Sequence, residues 1–561
     1  MTATLRFGVL ADGGVLAEWQ VRCIDDLIEN AGARFDAFIS SDARSVQGRA
    51  WRWFEKAVAV TKVPGLAPVD WRKKFPSVRE YGAHVRSGGA PALTLDPSER
   101  QVLRGLNLAF ILDFSAHDGA AELLDLAAAG VWSFQLNDVS KYDGRIPGFW
   151  EISRGDSLVK CALVQRVSAA PPRVLRSGVF RAAIDSYPIT AQVALAACRV
   201  WPRLAWNARQ TAGGARVALG DVAATASTRA VPGLWRVATF FLRLGVSRLR
   251  LMFRWWLMRE QWCVGLVDRP IHHVLKDGIK QVRWLFRDKR DGYFADPFGV
   301  VSGGELVVFA EEYPHDTCRG KISSFTVRDG SVVTPPRTVL ELDGHLSYPF
   351  LFQHQGQTYC IPESNQLGEV ALYRIDRLPD RWVRVKTLLA DSRYVDSTVI
   401  EHDGRWWLFA SSMEYEGIAT LYIWHAADLF GEWVPHRLNP VKTDVRASRP
   451  AGTPFVHEGA LYRPAQNCTV TYGGSITLNR VTRLTPDEFE EDVAIHIQPE
   501  RPGPFPLGLH TLSAVGQQTL VDGKTYVMSP GQFVRVLRSK LRRVLPWPRL
   551  SAPNRSNNAT R

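Results

Sequence analysis

A helix that spans a bilayer needs roughly 18 or more consecutive apolar residues, and this chain has no such run. Its most hydrophobic stretch, Leu234 to Met258, is broken by Arg236, Arg243, Arg248, Arg250 and Arg254. No segment is therefore expected to cross a membrane. The first residues, Met1 to Arg6, lack a charged region followed by an apolar run and a small-residue cleavage site, so no secretory signal is expected. Seven cysteines (23, 161, 198, 263, 318, 360 and 468) are scattered, odd in number and without CxxC or zinc spacing. They predict reduced thiols in a cytosolic protein rather than a disulfide framework or a metal centre. The chain also lacks HExxH, a P-loop, GxSxG and a dinucleotide fingerprint, which removes the reaction classes that depend on those motifs. His272, His273, His315, His345 and His510 show no metal-ligand spacing, and no metal is expected; His510 falls near a fifth repeat described below.

What is present is apolar surface. Of 561 residues, 46% are hydrophobic and 11% aromatic, with 19 Trp, enough to offset chain entropy by burial, so most of the chain is globular. The length accommodates three or four domains at about 150 residues each, or two larger ones with a linker. The net charge of +13 is concentrated in two places. Residues 231–262 carry six arginines against Glu260, and residues 530–561 carry eight basic residues and no acid; together these account for the whole excess. Both segments are rich in Leu, Val, Phe and Trp, a mixture that suits an anionic lipid surface better than nucleic acid.

Short apolar runs alternate with helix-period stretches from Leu5 to about Tyr187. The runs are Leu5–Leu10, Phe35–Ile39, Leu108–Leu112 and Val131–Phe134, with helices expected near Glu18–Asn30 and Ala120–Ala129. This alternation predicts an open, mostly parallel α/β sheet over residues 1–187. Residues 188–262 read as a helical, Arg-rich connector. Residues 263–530 change to short β-type runs separated by Gly and Asp turns, and residues 531–561 form a basic, partly disordered tail.

The third region repeats itself. Frames begin at Asp296, Tyr348, Asp396 and Ala451, spaced by about fifty residues. Eight residues into each lies Gly304, Gly356, Gly404 or Gly459, then a β-type run, and fifteen residues into each lies Glu311, Glu363, Ser411 or Gln466. Strand, Gly-containing turn and strand make a hairpin, with the first and fifteenth positions at one open end. A degenerate fifth copy spans His510-Thr511 to Val521-Asp522-Gly523-Lys524, and a strand from Cys263 to Asp268 could close a ring. The expected architecture is an all-β five-bladed propeller following the α/β domain.

Equivalent positions in successive blades converge on the channel, so Asp296, Glu311, Glu363 and Asp396 should face one another, beside Tyr348, Ser411, Gln466, Arg449 and Arg463. Crowded carboxylates raise one another's pKa values and can separate an acid from a base, which is what glycoside chemistry requires. Structural pairing of these acids with arginines is the alternative reading.

Several ordered motifs here, Phe294-Ala295-Asp296-Pro297-Phe298, Ser347-Tyr348-Pro349-Phe350, Ile361-Pro362-Glu363-Ser364, Val395-Asp396-Ser397-Thr398, Ser448-Arg449-Pro450-Ala451-Gly452 and Leu461–Cys468, resemble the propeller domain of plant glucosamine inositolphosphorylceramide transferases. That domain is similar to five-bladed arabinanase and levansucrase-like glycosidases. The resemblance implies a sugar or glycolipid site with Asp296 as a catalytic acid, Glu363 and Asp396 as further acids, and Glu311, Tyr348, Arg449, Arg463 and Gln466 as substrate-binding groups. It does not extend to the plant proteins' glycosyltransferase domain, so transferase activity is not implied.

The N-terminal motifs Gly130–Gln135 and Lys141–Ile152 resemble folate-dependent formyltransferases, which use an Asn, a His and an Asp to pass a formyl group from 10-formyltetrahydrofolate to an amine. At the decisive positions this chain carries Ser133 and Gln135, and no acid occurs between Asp156 and Asp185. Gln cannot carry a proton at neutral pH. The expectation is a formyltransferase-like scaffold without its chemistry and without a cofactor; an active enzyme on an amino sugar, using 10-formyltetrahydrofolate, is the alternative, and a non-catalytic glycan-binding protein a third. Arg236, Arg243, Arg250 and Arg254 share one face of a helix over 234–259, which either packs between domains or docks on anionic lipid, as could residues 534–545. The expected location is cytoplasmic, at most peripheral to the inner face of the plasma membrane.

Overall fold

The computed structural model describes residues 5–42, 54, 63–86, 92–115, 120–138, 141–142, 147–168, 170–210, 233–286, 291–412 and 420–529. The proposed lipid segment 534–545 lies outside them.

The N-terminal unit is built on an eight-stranded sheet. Its order from one edge is Ala170–Arg181, Leu158–Val167, Val131–Gln135, Phe110–Asp113, Arg6–Asp12, Arg34–Ser41, Arg79–Arg86 and Ala92–Leu95. The five central strands are parallel and the edge pairings antiparallel. A parallel sheet must be covered on its faces. The helix Glu18–Ala31 does this with Trp19, Val21, Cys23, Ile24 and Leu27, and it ends at Gly32, whose φ of +60° only glycine adopts readily. The stretch expected to be helical over Ala120–Ala129 is a single 3-10 turn, Ala120–Leu123. Two helices assigned to the connector, Tyr187–Cys198 and Trp201–Arg209, instead complete this domain's core: Ala194, Leu195, Cys198, Trp201, Leu204 and Ala205 pack with Phe7, Phe110 and Trp132. Their apolar residues recur at helical spacing and had to be buried somewhere.

Five sheets follow. Blade 1 comprises Gly292–Ser302, Glu305–Pro314, Lys321–Arg328 and Ser331–Val332, with Arg337–Leu340 also paired to the third strand; blade 2 Ser347–His354, Gln357–Glu363, Val370–Arg377 and Arg381–Leu389; blade 3 Tyr394–His402, Arg405–Ser412, Thr420–Ala426 and Val434–Pro435, with Lys442–Thr443 also paired to the third strand; blade 4 Phe455–His457, Ala460–Asn467, Ser475–Leu484 and Phe489–Ile497. Blade 5 joins the two ends of the region. Leu512–Val515 and Gln518–Met528 pair with Met258–Val267 and Arg283–Trp284, with Met258 opposite Met528 and Val267 opposite Thr519. The propeller thus begins at Met258, ahead of the expected boundary at Cys263, and its first strand supplies the ring closure.

The four repeat glycines have φ between +69° and +82°, and the residues before them, Gly303, Gln355, Asp403 and Glu458, are also left-handed. Two consecutive left-handed residues are the I′ turn whose twist matches a two-residue hairpin. Each innermost strand of blades 1 to 3 carries a bulge at the same place, between Ala295 and Phe298, Ser347 and Phe350, and Val395 and Thr398. Within these bulges Asp296, Tyr348 and Asp396 have φ of +49°, +42° and +53°. A bulge re-aims a side chain. Here it gives three repeat-start residues the same backbone displacement, which sets Asp296 and Asp396 among the channel's polar groups and leaves Tyr348 packed edge-on against Phe298 of blade 1.

Candidate functional site

The second strands bring their repeat positions to the level of the bulges: Glu311 pairs with Ala295, Glu363 with Ser347 and Ser411 with Val395, while the N–H of Gln466 donates to Arg449 O at 2.8 Å. Asp296, Glu311, Glu363, Asp396, Arg449 and Gln466 are all buried, none more than 7% exposed.

Asp396 is the most heavily held. The Arg449 guanidinium donates to it through Nε and, at 3.2 Å, through a terminal nitrogen; Gln466 Nε2 donates at 2.8 Å. Arg449 also lies 3.9 Å from Glu363, whose Oε1 accepts from Asn365 at 3.0 Å. A second cluster closes the ring. The Asp522 carboxylate accepts the backbone N–H of Asp296 at 3.1 Å, of His510 at 2.9 Å and of Thr511 at 3.0 Å. His510 Nδ1 lies 2.5 Å from Asp522 and its Nε2 3.6 Å from Asp296, which accepts from the Thr511 hydroxyl at 2.8 Å. Asp296, His510 and Asp522 could together offer three ligands to a metal ion.

Burial and mutual repulsion separate the charge states. Burial, and then Asp522 and Asp396, push Asp296 up to about 6, against the pull of His510. Burial raises Glu311 well above the carboxylate range, reinforced by Asp296 and Glu363; burial and Asp396 do the same to Glu363. Asp522 goes the other way: burial opposes its charge, but the His510 imidazole and the backbone N–H groups of His510 and Thr511 outweigh it and lower its pKa. The channel therefore holds protonated and ionised carboxyls side by side, with Arg449 as the buried cation.

Aromatic rings surround this group. Tyr472 lies beneath the Arg449 guanidinium at 5.0 Å, Trp262 stacks on His510 at 3.9 Å, and Lys524 Nζ sits 5.0 Å over Trp262. Tyr293 stacks on Tyr313 at 4.9 Å near Glu311. Below the carboxylates, the Tyr348 hydroxyl meets Thr398 at 3.0 Å and accepts the Gly452 N–H at 2.6 Å, joining blades 2, 3 and 4 across the channel. Gly452 has no room for a side chain, because a Cβ would stand 2.0 Å from Leu512 O. A cavity of about 510 Å³ opens at the opposite end, lined by Val301, Phe352, Glu401, Trp406 and Val515 and by none of these carboxylates.

Three residues expected here do other work: Tyr348, whose hydroxyl is taken up by Thr398 and Gly452, Arg463 and Ser411. Arg463 spends its donors on Glu491, at 2.9 and 2.7 Å, and on the carbonyls of Ala447 and Ser448. Ser411 donates to Thr420 O at 2.6 Å. Asp522, Trp262, Tyr472 and Tyr293 were missed. Asp522 stands two residues nearer its turn than Glu311 does in blade 1, because the blade 5 hairpin is shorter, so it falls out of register with the repeat; its Asp-Gly-Lys in the fifth copy was the available signal. In the N-terminal sheet, Ser133 is buried in the middle of the strand Val131–Gln135, opposite Asp113, with Gln135 at the strand's end. Asn137 donates to the buried Glu151 at 3.2 Å, and burial raises Glu151 to about 7.

The fold and site define a five-bladed propeller with a buried cluster of carboxylates, one arginine and aromatic rings in its channel. Residues 287–504 match the family described as glucosamine inositolphosphorylceramide transferase 1, N-terminal. Glucosamine inositolphosphorylceramide transferase 1 of Oryza sativa subsp. japonica is 36% identical over 205 residues, 36% of this chain and 27% of that protein. The Arabidopsis thaliana protein of the same name is 34% identical over 218 residues, 38% of this chain and 28% of its own length. The match thus spans little more than a quarter of these relatives. Among solved structures, the family 117 glycoside hydrolase Zg3597 of Zobellia galactanivorans aligns over 44% of this chain and 87% of its own with 12% identity and a TM-score of 0.31. The α-L-arabinofuranosidase PaAbf62A of Podospora anserina aligns over 47% and 84% with 12% identity and a TM-score of 0.33.

Proposed function

We propose that the propeller channel is a saccharide site of glycan or glycolipid metabolism, and that its carboxylates cleave or transfer a glycosidic bond. The observation that carries this reading is the crowding of buried carboxyls around one cation: Glu363, its pKa raised by burial and by Asp396, stands beside Asp396, which Arg449 and Gln466 clamp, while burial lifts Asp296 to about 6. In this reading Glu363 gives its proton to the leaving oxygen as the C–O bond breaks, and Asp296 serves as nucleophile or as base toward water. Asp396 and Arg449 position both. Sugars stack on aromatic faces through their C–H surfaces, and the half-buried Tyr472 supplies such a face, whereas Trp262 is buried against His510 and Lys524. The matched plant family, whose name specifies a glucosamine inositolphosphorylceramide transferase, supports a sugar or glycolipid substrate.

The test is product release by the full chain from a panel of nitrophenyl glycosides and glucosaminyl glycolipids, comparing wild type with Asp296→Asn. Loss of product with a melting temperature no lower than that of wild type supports catalysis; unchanged turnover overturns it. The small exposure of every carboxylate favours a second reading, a binding module without chemistry. Saturable binding without product, weakened by Arg449→Met or Gln466→Ala but not by Asp296→Asn, would select it.

For the N-terminal unit we propose a formyltransferase-like scaffold that has lost formyl transfer, since neither Ser133 nor Gln135 can carry a proton. Transfer from 10-formyltetrahydrofolate to an amino sugar by the full chain would overturn this and restore the folate-dependent alternative.

A further inference from the structure

The helix Leu234–Leu257 has 24 residues, about 36 Å of length, and it presents three faces. One is buried: Val237, Phe240 and Leu244 pack with Phe54, Phe149, Trp150 and Tyr187 of the N-terminal unit. The second is basic, with Arg236, Arg243, Arg250 and Arg254 at spacings of seven, seven and four. The third is apolar and faces outward. Trp235, Leu242, Val246, Leu249 and Phe253 follow one another at spacings of seven, four, three and four; Trp235 is 76% exposed, Leu242 66% and Phe253 57%. Leu234, at the helix start and off this stripe, is also 70% exposed.

Scattered exposed leucines are ordinary, but a helix-long stripe of Trp, Leu, Val and Phe is not. The helix contains no acid, and no helix among the described residues is long and apolar enough to cross a membrane. Arg248 extends from the other side of the apolar stripe and donates to Asp185 O at 2.7 Å. The exposed apolar face is therefore bordered on one side by the arginine row, while Arg248, next to the buried face, is spent on the protein's own backbone. This is the arrangement of a helix lying in the plane of a bilayer, its apolar residues among the acyl chains and its guanidinium groups raised to the lipid phosphates.

We propose that Leu234–Leu257 docks the protein onto an anionic membrane surface, with Trp235, Leu242, Val246, Leu249 and Phe253 entering the lipid and Arg236 and Arg250 meeting its headgroups. The inference goes beyond the saccharide reading and does not depend on it. The charge decides between occupants. A second copy laid on this stripe would bring arginine rows together with no acid on the helix to offset them, whereas anionic lipid complements them. The helix also runs without interruption into Met258–Val267, whose Trp262 stacks on His510 at the channel. Docking therefore fixes the blade that closes the ring relative to the surface.

The test is co-sedimentation of the full chain with vesicles of phosphatidylcholine alone and of phosphatidylcholine with 30% phosphatidylglycerol. Wild type should partition at least tenfold more strongly onto the anionic vesicles. Leu242→Asp with Leu249→Asp should lose that binding, and Arg236→Gln with Arg250→Gln should reduce the preference for anionic lipid. All four positions are exposed, so both variants should keep the wild-type melting temperature. Equal binding to both vesicle types, or full binding by Leu242→Asp with Leu249→Asp, would overturn the proposal. So would a lipid-free dimer in sedimentation velocity that this variant dissociates, since the face would then be covered by a second copy.

Discussion

Asp296 of blade 1 donates its backbone N–H to the carboxylate of Asp522 in blade 5 at 3.1 Å. The two residues are 226 positions apart in sequence, and their contact, with the pairing of Met258–Val267 on Gln518–Met528, closes the ring. Asp522 is fully buried, and its charge is met by three N–H donors and by His510. Replacing it by Ala leaves those donors and the imidazole without their acceptor. Asp522→Ala is expected to cost ~3–5 kcal/mol, the range for breaking a buried ion pair by removing one partner. Urea unfolding would measure it, and a loss below about 1 kcal/mol would contradict this account of ring closure.

Arg449 is the counter-charge of a second buried group. Arg449→Met removes the cation from Asp396 and Glu363 while keeping most of the volume, so the expected loss is again ~3–5 kcal/mol. The double variant Arg449→Met with Asp396→Asn should be less destabilised than the sum of the two single changes, because the cycle removes both ends of one interaction.

The pH dependence of stability carries the signature of Asp296. Its folded pKa of about 6 lies above the unfolded value, which is about 3.9 for Asp. Between these values the folded protein binds more protons than the unfolded chain, so this group's contribution to stability falls as pH rises from about 4 to about 6 and is level above that. Asp522, with its pKa lowered, has the opposite sign: its contribution is present at neutral pH and is lost as pH falls through its folded value. Asp296→Asn removes the first effect and, with the charge, part of the upward push on Glu311, which acts in the same direction. Unfolding free energies of the two proteins, compared at pH 4.5 and 7.5, should show the variant gaining on wild type at the higher pH.

Tyr348 tests the strut beneath the site. Tyr348→Phe leaves the Gly452 N–H without its 2.6 Å acceptor in a buried setting, at a cost of ~1–3 kcal/mol. Because the hydroxyl is engaged with Thr398 and Gly452 rather than with the carboxylates, saccharide binding should be unaffected. Denaturation and titration calorimetry would separate the two effects.

The hairpin turns make the mildest prediction. At Gly404, φ is +69° and nothing stands within 4 Å of where a Cβ would be placed, so Gly404→Ala tests backbone conformation alone and should cost ~1–2 kcal/mol.

Much of this was present in the chain as a pattern. Glycines about fifty residues apart, each flanked by β-type runs, specify hairpins by local sterics. Equivalent offsets on repeated hairpins must meet at the channel, which is why Asp296, Glu363 and Asp396 could be named from the sequence. Periodicity likewise marked the helix Glu18–Ala31 and the basic face of Leu234–Leu257. What only the tertiary structure decided is which groups compensate which. The two basic residues Arg449 and Arg463 stand fourteen positions apart, one in the segment before the short innermost strand of blade 4 and one in its second strand; one points at Asp396 and the other at Glu491, because the innermost strand is irregular and strand alternation there cannot be counted through. Asp522 escaped the repeat because its hairpin is shorter. Whether the apolar stripe of Leu234–Leu257 faces a domain or the outside depended on which face the N-terminal core took up, and Val237, Phe240 and Leu244 filled it first. Local pattern determines elements and their spacing, while long-range contact alone sets the charge balance and exposure from which a site or a surface gets its chemistry.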